Sequence, residues 1–253
     1  MTFAVINSVN FESRPAAVLF DLDNTLYPYG PADEAGMKSV VKKAATKLGT
    51  DSAEFNDVFT RARDDVKQQL GNLASSHSRL LYFQRTLELL GLRSQVLLSL
   101  EFEQTYWRNF LSAMTLREGV REFLDLLARA SIPKVVVTDL TSQIQFRKLL
   151  FLDLDQRFEY VVTSEESGAD KPDSAGFELA MKKLSLGTEP VWMIGDNYLS
   201  DLVGAKSAIG ATTIGLRSDV EDRSSDDYVD ATFDSFIELE RLVIDRGWNK
   251  QIS

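Results

Sequence analysis

The rhythm of apolar and polar positions changes twice along the chain. Ala16-Ala17-Val18-Leu19-Phe20 is an unbroken apolar run, ended by Asp21 and Asp23 and then by Asn24, Thr25 and Pro28. A run without polar alternation suits a strand covered on both faces, as in a parallel sheet, and predicts a strand over 16–21. From about 31 to 114 the spacing turns helical. Met37, Val40, Val41, Ala44 and Leu48 share one face, Gly49 stops the run, and Asp51 or Ser52 is placed to cap the next helix. Further helices are predicted over 53–71, 76–91 and 95–113, punctuated by Gly71 and Gly91. After 115 helices and strands alternate. The pattern predicts helices over 117–130, 141–151, 173–185 and 199–208, and strands over 134–138, 160–163, 191–195 and 211–215. Ser218–Asp230, acidic and polar, reads as a solvated loop.

Strands alternating with helices through short loops imply an α/β fold with a doubly wound parallel sheet. The all-helical block interrupts that order directly after the first strand. The expected domains are therefore 1–28 with 115–253, forming the α/β core, and 29–114, a helical insert. Such an insert is expected to fold over the carboxyl edge of the sheet, where folds of this class bind ligands. No internal repeat is visible.

Composition narrows the function classes. At 44% hydrophobic and 26% charged, the 253 residues have the make-up of a soluble globular protein. A net charge of −10 makes the chain a poor binder of nucleic acid or anionic membrane, so an anionic substrate needs a local cation. The absence of cysteine excludes disulfides, thiolate chemistry and cysteine-ligated zinc, and fits a reducing compartment. The stretch MTFAVINSVNFESR has neither the basic nor the apolar region of a signal peptide. No apolar run approaches the roughly 20 residues of a membrane span. The expectation is a cytoplasmic protein with a small-molecule partner, with no nucleic acid and no membrane; nothing in the sequence marks an oligomeric state.

The reactive residues gather at strand ends. Asp21 and Asp23 follow the first strand, Thr138 ends the Val-rich strand, Lys171 lies in the loop Ala169–Asp173, and Asp196 and Asp201 follow the strand Val191–Gly195. In a parallel sheet these ends share one edge. Alternation along an extended chain would point Asp21 and Asp23 the same way, where like charges repel unless a cation or shared proton intervenes. Three or four carboxylates about one spot call for a hard divalent cation such as Mg²⁺. An ionised Asp21 in line with phosphorus is a competent nucleophile, giving an aspartyl-phosphate. Asp23 is placed to protonate the leaving oxygen and then activate water. Thr138 offers a hydroxyl to a phosphate oxygen, and Lys171 offers positive charge to the transferring group. Pro172 is expected in the first turn of the helix that follows.

DLDNT at 21–25, the strand-end Thr138, Lys171-Pro172 and GDNYLSD at 195–201 together resemble, in order, the four motifs of the haloacid dehalogenase-like (HAD) hydrolases. The resemblance spans about 16–215, and the insert is similar to that superfamily's helical cap. It implies a Rossmann-like core, Asp21 as nucleophile and Asp23 as general acid/base. It implies that Asp196, Asp21 and the Asp23 backbone carbonyl hold Mg²⁺, that Asp201 binds or orients the metal's shell, and that Thr138 and Lys171 hold the phosphate. The chain departs from the family pattern at Asp139, where many members carry Asn; a carboxylate beside a phosphate is unfavourable unless it turns away.

The activity so implied is Mg²⁺-dependent hydrolysis of a small phosphate monoester, a nucleotide or sugar phosphate. The DNTLYP form of the first motif is similar to that of pyrimidine 5′-nucleotidase-like members. A phosphomutase, a metal-free dehalogenase and a non-catalytic binding module are the alternatives. Tyr27 and Tyr29 are expected to line the entrance. Asp139 and Asn197 are further candidates near the substrate, Asn197 equally as a helix cap. In the insert, His77, Arg79, Arg85, Tyr106, Trp107 and Arg108 are candidates for contact with the leaving group, against a plain reading as cap core and surface.

Overall fold

A computed structural model describes residues 4–220 and 227–249 of the protein. The chain forms two compact units, Met1–Pro28 with Thr115–Ser253, and Tyr29–Met114.

The first unit holds a sheet of seven strands among the described residues: β1 (Ala4–Val5), β2 (Ala17–Phe20), β3 (Lys134–Thr138), β4 (Tyr160–Thr163), β5 (Val191–Gly195), β6 (Thr212–Leu216) and β7 (Ala231–Phe233). Their order is β1-β7-β6-β5-β2-β3-β4. Only the β1–β7 pairing is antiparallel. Phe20 lies level with Val136 and Ile194. The chain runs outward from β2 to β3 and β4, then returns to β5 on the other side of β2. That reversal opens a crevice at the carboxyl ends of β2 and β5, where Asp21 and Asp196 emerge.

The unbroken apolar runs have their explanation in two-sided burial. Ala17, Leu19, Val135, Val137, Val191 and Met193 pack with Phe177, Ala180 and Met181 of the helix Ser174–Leu184. The alternate positions face the other way. Phe20 meets Phe123 and Phe158 edge-on, at 6.2 and 5.8 Å between ring centres, and Trp192 meets Phe11 and Trp248 at 5.6 and 5.8 Å.

Several boundaries differ from the pattern. The predicted helix 117–130 begins at Val120, because Gly119 takes φ 82° and a Cβ there would sit 2.7 Å from the Ile237 nitrogen. Pro172 lies outside the helix that follows: Asp173 is the cap and accepts from the Ala175 N–H at 3.0 Å. The helix predicted over 199–208 is a wide turn, Tyr198–Val203, running into a regular one, Gly204–Ile209. The short strands β1 and β7 and the helix Phe236–Asp245 have no counterpart in the predicted elements. Of the predicted loop Ser218–Asp230, residues 221–226 lie outside the described residues. Of the rest, Ser218, Asp219, Asp227 and Tyr228 are exposed as expected, whereas Val220, Val229 and Asp230 are buried. Asp230 accepts from the Thr213 N–H at 2.9 Å and from Lys206 at 2.8 Å.

The second unit is all helical: Tyr29–Leu48, Ser52–Leu70, Arg79–Leu89 and Val96–Ala113, with a short turn at Ala74–His77. Asp51 caps the second of these, accepting from Ala53 N–H at 2.8 Å. The helix predicted over 76–91 is broken at Ser78, whose extended backbone and side-chain bond to the Leu81 N–H start a new helix. The core is aromatic, with Phe83 set against Phe102 and Tyr106 at 5.9 and 6.1 Å. No described helix is long and apolar enough to cross a membrane.

Candidate active site

Three carboxylates converge in the β2–β5 crevice. Ligand oxygens of Asp21, Asp196 and Asp201 lie within 4.8 Å of one another. Asp21 continues the β2 ladder through its N–H to the Ile194 carbonyl, 2.9 Å. Asp196 sits one residue beyond β5. Asp201 is brought back by the wide turn Tyr198–Val203, where it accepts from the Asn197 N–H at 3.0 Å. This return needs Gly195, because a Cβ there would lie 2.4 Å from the Asp201 carboxylate.

The Lys171 ammonium enters this cluster, 2.7 Å from Asp21 Oδ1, 2.6 Å from Asp201 Oδ1 and 3.0 Å from the Val137 carbonyl. Burial favours neutral lysine, but the Asp201 and Asp21 charges outweigh it and hold the ammonium well above its usual pKa. Three carboxylates against one ammonium leave two negative charges unbalanced. Burial, with the nearby Asp201 and Asp23 charges and against Lys171, pushes Asp21 up to about 7. Burial and the Asp21 charge push Asp196 up to about 6, although Asn24 and Thr25 donate to it at 2.8 and 3.0 Å. Burial and Asp196 likewise raise Asp201, against Lys171. Among the described residues, Asp21 Oδ2 is buried with no hydrogen-bond partner. A dense set of hard oxygen donors, short of positive charge and with one oxygen orphaned, fits a divalent cation.

Asp23 belongs to a different pocket. The strand geometry ends at Phe20, so the alternation that would align the two acids does not extend to it. Its oxygens each lie 2.6 Å from the Lys148 ammonium, Gln145 donates to Oδ2 at 3.2 Å, and the Tyr27 hydroxyl donates to Oδ1. Burial alone would raise its pKa; Lys148, Tyr27 and Gln145 together lower it below the usual carboxylate value. The two acids thus do not face one spot as the alternation suggested: Asp21 shares Lys171 with Asp201, and Asp23 pairs with Lys148.

The other candidates divide. Thr138 is buried, and its Oγ accepts from Gln145 at 2.6 Å. The Asp139 carboxylate turns to the backbone and accepts from the Lys171 N–H at 2.9 Å, which is how a carboxylate is tolerated there. Asn197 is exposed and caps the following turn through the Ser200 N–H, 2.9 Å. Tyr27, expected at the entrance, is fully buried behind Asp23. Tyr29 lies in the helical unit, where Arg79 donates to its hydroxyl. Arg79 also faces Asp33 at 3.7 Å and stacks over Tyr106 at 5.1 Å; Tyr106 and Trp107 are buried. Arg85 pairs on the surface with Asp65 at 2.8 Å, Arg108 is exposed, and His77 is half-buried.

The family model of haloacid dehalogenase-like hydrolases matches residues 15–208, which include all of these strand-end residues. The chain belongs to this family. It is 38% identical to a ribulose-1,5-bisphosphate 5-phosphatase of Halopiger xanaduensis, over 78% of this chain and 83% of that protein. It is 29% identical to a glyceraldehyde 3-phosphate phosphatase of Methanopyrus kandleri, over 88% and 94%. In fold it is similar to a HAD phosphatase of Thermococcus onnurineus, with a TM-score of 0.69 at 21% identity, covering 90% of this chain and 97% of that one. The protein is an enzyme, a HAD-like phosphatase.

Four residues of this HAD core escaped the sequence reading as functional groups. Asn24 and Thr25, read there only as ending the apolar run and as part of the DLDNT motif, donate to Asp196. Asn24 does so from a left-handed backbone, φ 65°, a conformation asparagine tolerates well. Gln145 and Lys148 surround Asp23 and Thr138, and nothing in the sequence pattern sets them apart from ordinary polar helix residues.

Proposed function

We propose that this HAD phosphatase hydrolyses small sugar phosphates through an aspartyl-phosphate on Asp21, with the helical unit 29–114 serving as its cap. The observation that carries the reading is the state of Asp21: one oxygen is held by Lys171 and the other is buried and unpartnered. A phosphorus atom is the electrophile that such an oxygen suits. Asp21 attacks phosphorus and the bond to the leaving oxygen breaks; that oxygen takes a proton from Asp23, which has to enter this step protonated although Lys148 favours its ionised form. Water then gives a proton to Asp23 and attacks phosphorus, and inorganic phosphate and free Asp21 are released. Thr138 and Lys171 hold the phosphoryl oxygens throughout. Asp21, Asp196 and Asp201, with the Asp23 carbonyl, would hold Mg²⁺, which when bound supplies the positive charge this cluster lacks.

The relatives' sugar-phosphate activities favour that substrate class over nucleotides. The test is phosphate release from ribulose 1,5-bisphosphate, glyceraldehyde 3-phosphate, phosphoglycolate and nucleoside monophosphates, with Mg²⁺ and with chelator. Metal-dependent release confined to the sugar phosphates is the expected result. Preference for the nucleotides would overturn the substrate class, and full activity in Asp21→Asn would overturn the mechanism.

A further inference from the structure

The helix Ser142–Phe151 buries Gln145 and Lys148 beside Ile144 and Leu149 and leaves three large apolar residues outside. Phe146, Leu150 and Phe151 are exposed at 53%, 66% and 48%, whereas Gln145 and Lys148 are buried at 0% and 1%. Burying an ammonium is costly unless it is paired and hydrogen-bonded, and a leucine at 148 would fill the space without that cost. What the inward polar face reaches is the chemistry of the crevice. Lys148 Nζ lies 2.6 Å from both oxygens of Asp23. Gln145 Nε2 lies 2.6 Å from Thr138 Oγ, 2.8 Å from the Asp139 carbonyl and 3.2 Å from Asp23 Oδ2.

The orientation of the Gln145 amide follows from these neighbours. A carbonyl and a carboxylate oxygen offer no proton, so the end that faces them is the NH₂. Its second end, Oε1, is buried and unpartnered among the described residues. Thr138 has one hydroxyl proton. Because its oxygen accepts from Gln145, that proton is left to donate; its nearest recorded acceptor, the Asp139 carbonyl, is a long 3.4 Å away. A phosphoryl oxygen is a better acceptor than a carbonyl at that distance. Asp23 is held as well: the Lys148 ammonium lies across both oxygens and Tyr27 donates to Oδ1, while Gln145, whose two protons have nearer acceptors in Thr138 and the Asp139 carbonyl, stands 3.2 Å from Oδ2.

We propose that Gln145 and Lys148 are positioning residues for phosphoryl transfer, Gln145 directing the Thr138 hydroxyl outward as a donor and Lys148 fixing the Asp23 carboxylate. Each acts through Asp23 or Thr138. The proposal rests on the reading of Asp23 as acid/base and Thr138 as phosphate ligand.

The experiment uses the full-length Mg²⁺-loaded enzyme with p-nitrophenyl phosphate as substrate and inorganic phosphate as inhibitor. Lys148→Met is expected to lower kcat on the order of 10²-fold, the scale of a misplaced catalytic group, with KM changed little. Lys148→Arg, which keeps a two-pronged donor, is expected to recover most of that loss. Gln145→Leu is expected to weaken inhibition by inorganic phosphate about tenfold, the worth of one well-made hydrogen bond, and to add nothing in a Thr138→Val background. Unchanged kcat in Lys148→Met would overturn the role of Lys148. Failure of Lys148→Arg to recover activity while its melting temperature matches wild type would also overturn it. Equal effects of Gln145→Leu with and without Thr138 would overturn the role of Gln145. Asp21→Asn separates this from the underlying reading: if it is inactive while Lys148→Met keeps full activity, only the positioning role of Lys148 fails; if Asp21→Asn stays active, the reading itself fails.

Discussion

Two polar clusters, one in each unit, look alike by composition and differ in balance. In the core, Asp21, Asp196 and Asp201 share the single ammonium of Lys171, and an Asp21 oxygen is buried without a partner. In the helical unit, the Arg79 guanidinium faces the Asp33 carboxylate, donates to Tyr29, and lies over the Tyr82, Tyr106 and Trp107 rings, while Tyr106 donates to Asp33. Both are hydrogen-bonded; the core cluster is largely buried, whereas in the helical unit Tyr106 is buried but Arg79 and Asp33 are partly exposed. The helical cluster closes on itself, one charge against one, with phenols as spacers. The core cluster closes only when something positive or electrophilic arrives. Charge imbalance is what the core cluster has and the helical cluster lacks, beside the deeper burial of its carboxylates.

The largest test of that contrast is Asp21→Asn. Removing the nucleophile is expected to cost at least about 10³-fold in phosphate release, with no phosphorylated residue detectable by mass spectrometry. The same substitution removes one of the excess charges from the metal-free cluster, so the melting temperature measured with chelator is expected to hold or rise. A fall in stability comparable to the fall in activity would place Asp21 in the same class as Arg79.

Arg79→Met is the mirror experiment. It leaves Asp33 and the Tyr29 and Tyr106 hydroxyls without their shared cation and is expected to cost about 2–3 kcal/mol of stability, read from chemical denaturation. Turnover of p-nitrophenyl phosphate by the remaining folded protein is expected to fall by less than about tenfold. A 10²-fold loss in a fully folded Arg79→Met protein would show that the balanced cluster also recognises substrate.

The two clusters were unequally legible. Asp21, Thr138, Lys171 and Asp196 could be found because buried strands announce themselves as unbroken apolar runs, and parallel strands deliver their ends to one edge. The strand order that sets β2 beside β5 was not predicted from the sequence. Lys148 and Gln145 were hidden because the apolar residues of their helix are split, Ile144 and Leu149 inward and Phe146, Leu150 and Phe151 outward, so that hydropathy marks no single inner face. The inward direction is set by Asp23 and Thr138, which lie 122 and 7 positions away from Gln145 in the chain. Tyr27 was misplaced for a related reason. A tyrosine after a catalytic loop suggests an entrance, and only the packed core shows its ring sealed in. The pairing of β1 with β7 joins segments of two and three residues from opposite ends of the chain, too short to carry a periodicity.

Acidity offers a third test of the imbalance. The folded protein holds protons on Asp21 and Asp196 up to about pH 7 and pH 6, well above the pKa of either group in an unfolded chain. Their contribution to the stability of the metal-free fold is therefore fully present below about pH 4 and is lost as pH rises through 6 and 7. Asp23, lowered by Lys148, runs the other way, its contribution being lost as pH falls through its folded value. Mg²⁺ competes with the protons on Asp21 and Asp196, so each pH unit below their values weakens binding about tenfold per proton displaced. The rise in melting temperature on adding Mg²⁺ is expected to be large at pH 8 and small at pH 5.5. An equal rise at both would place the cation away from these carboxylates.

The smallest effect is expected at Tyr27. Its ring is core, so phenylalanine keeps the packing and removes only the hydroxyl that donates to Asp23. Asp23 then still has the Lys148 ammonium across both oxygens and Gln145 on one, so the carboxylate stays ionised and in place. One net hydrogen bond is worth about 1 kcal/mol, and Tyr27→Phe is expected to lose no more than that in stability and a few-fold in kcat. The value of the experiment lies in its comparison with Lys148→Met. If the holding of Asp23 is shared among its donors, the loss at Tyr27 is small beside the loss at Lys148, because the ammonium carries the charge and spans both oxygens. If Tyr27→Phe alone costs as much as Lys148→Met, the hydroxyl is the group that sets the carboxylate plane, and the lysine serves chiefly to neutralise it.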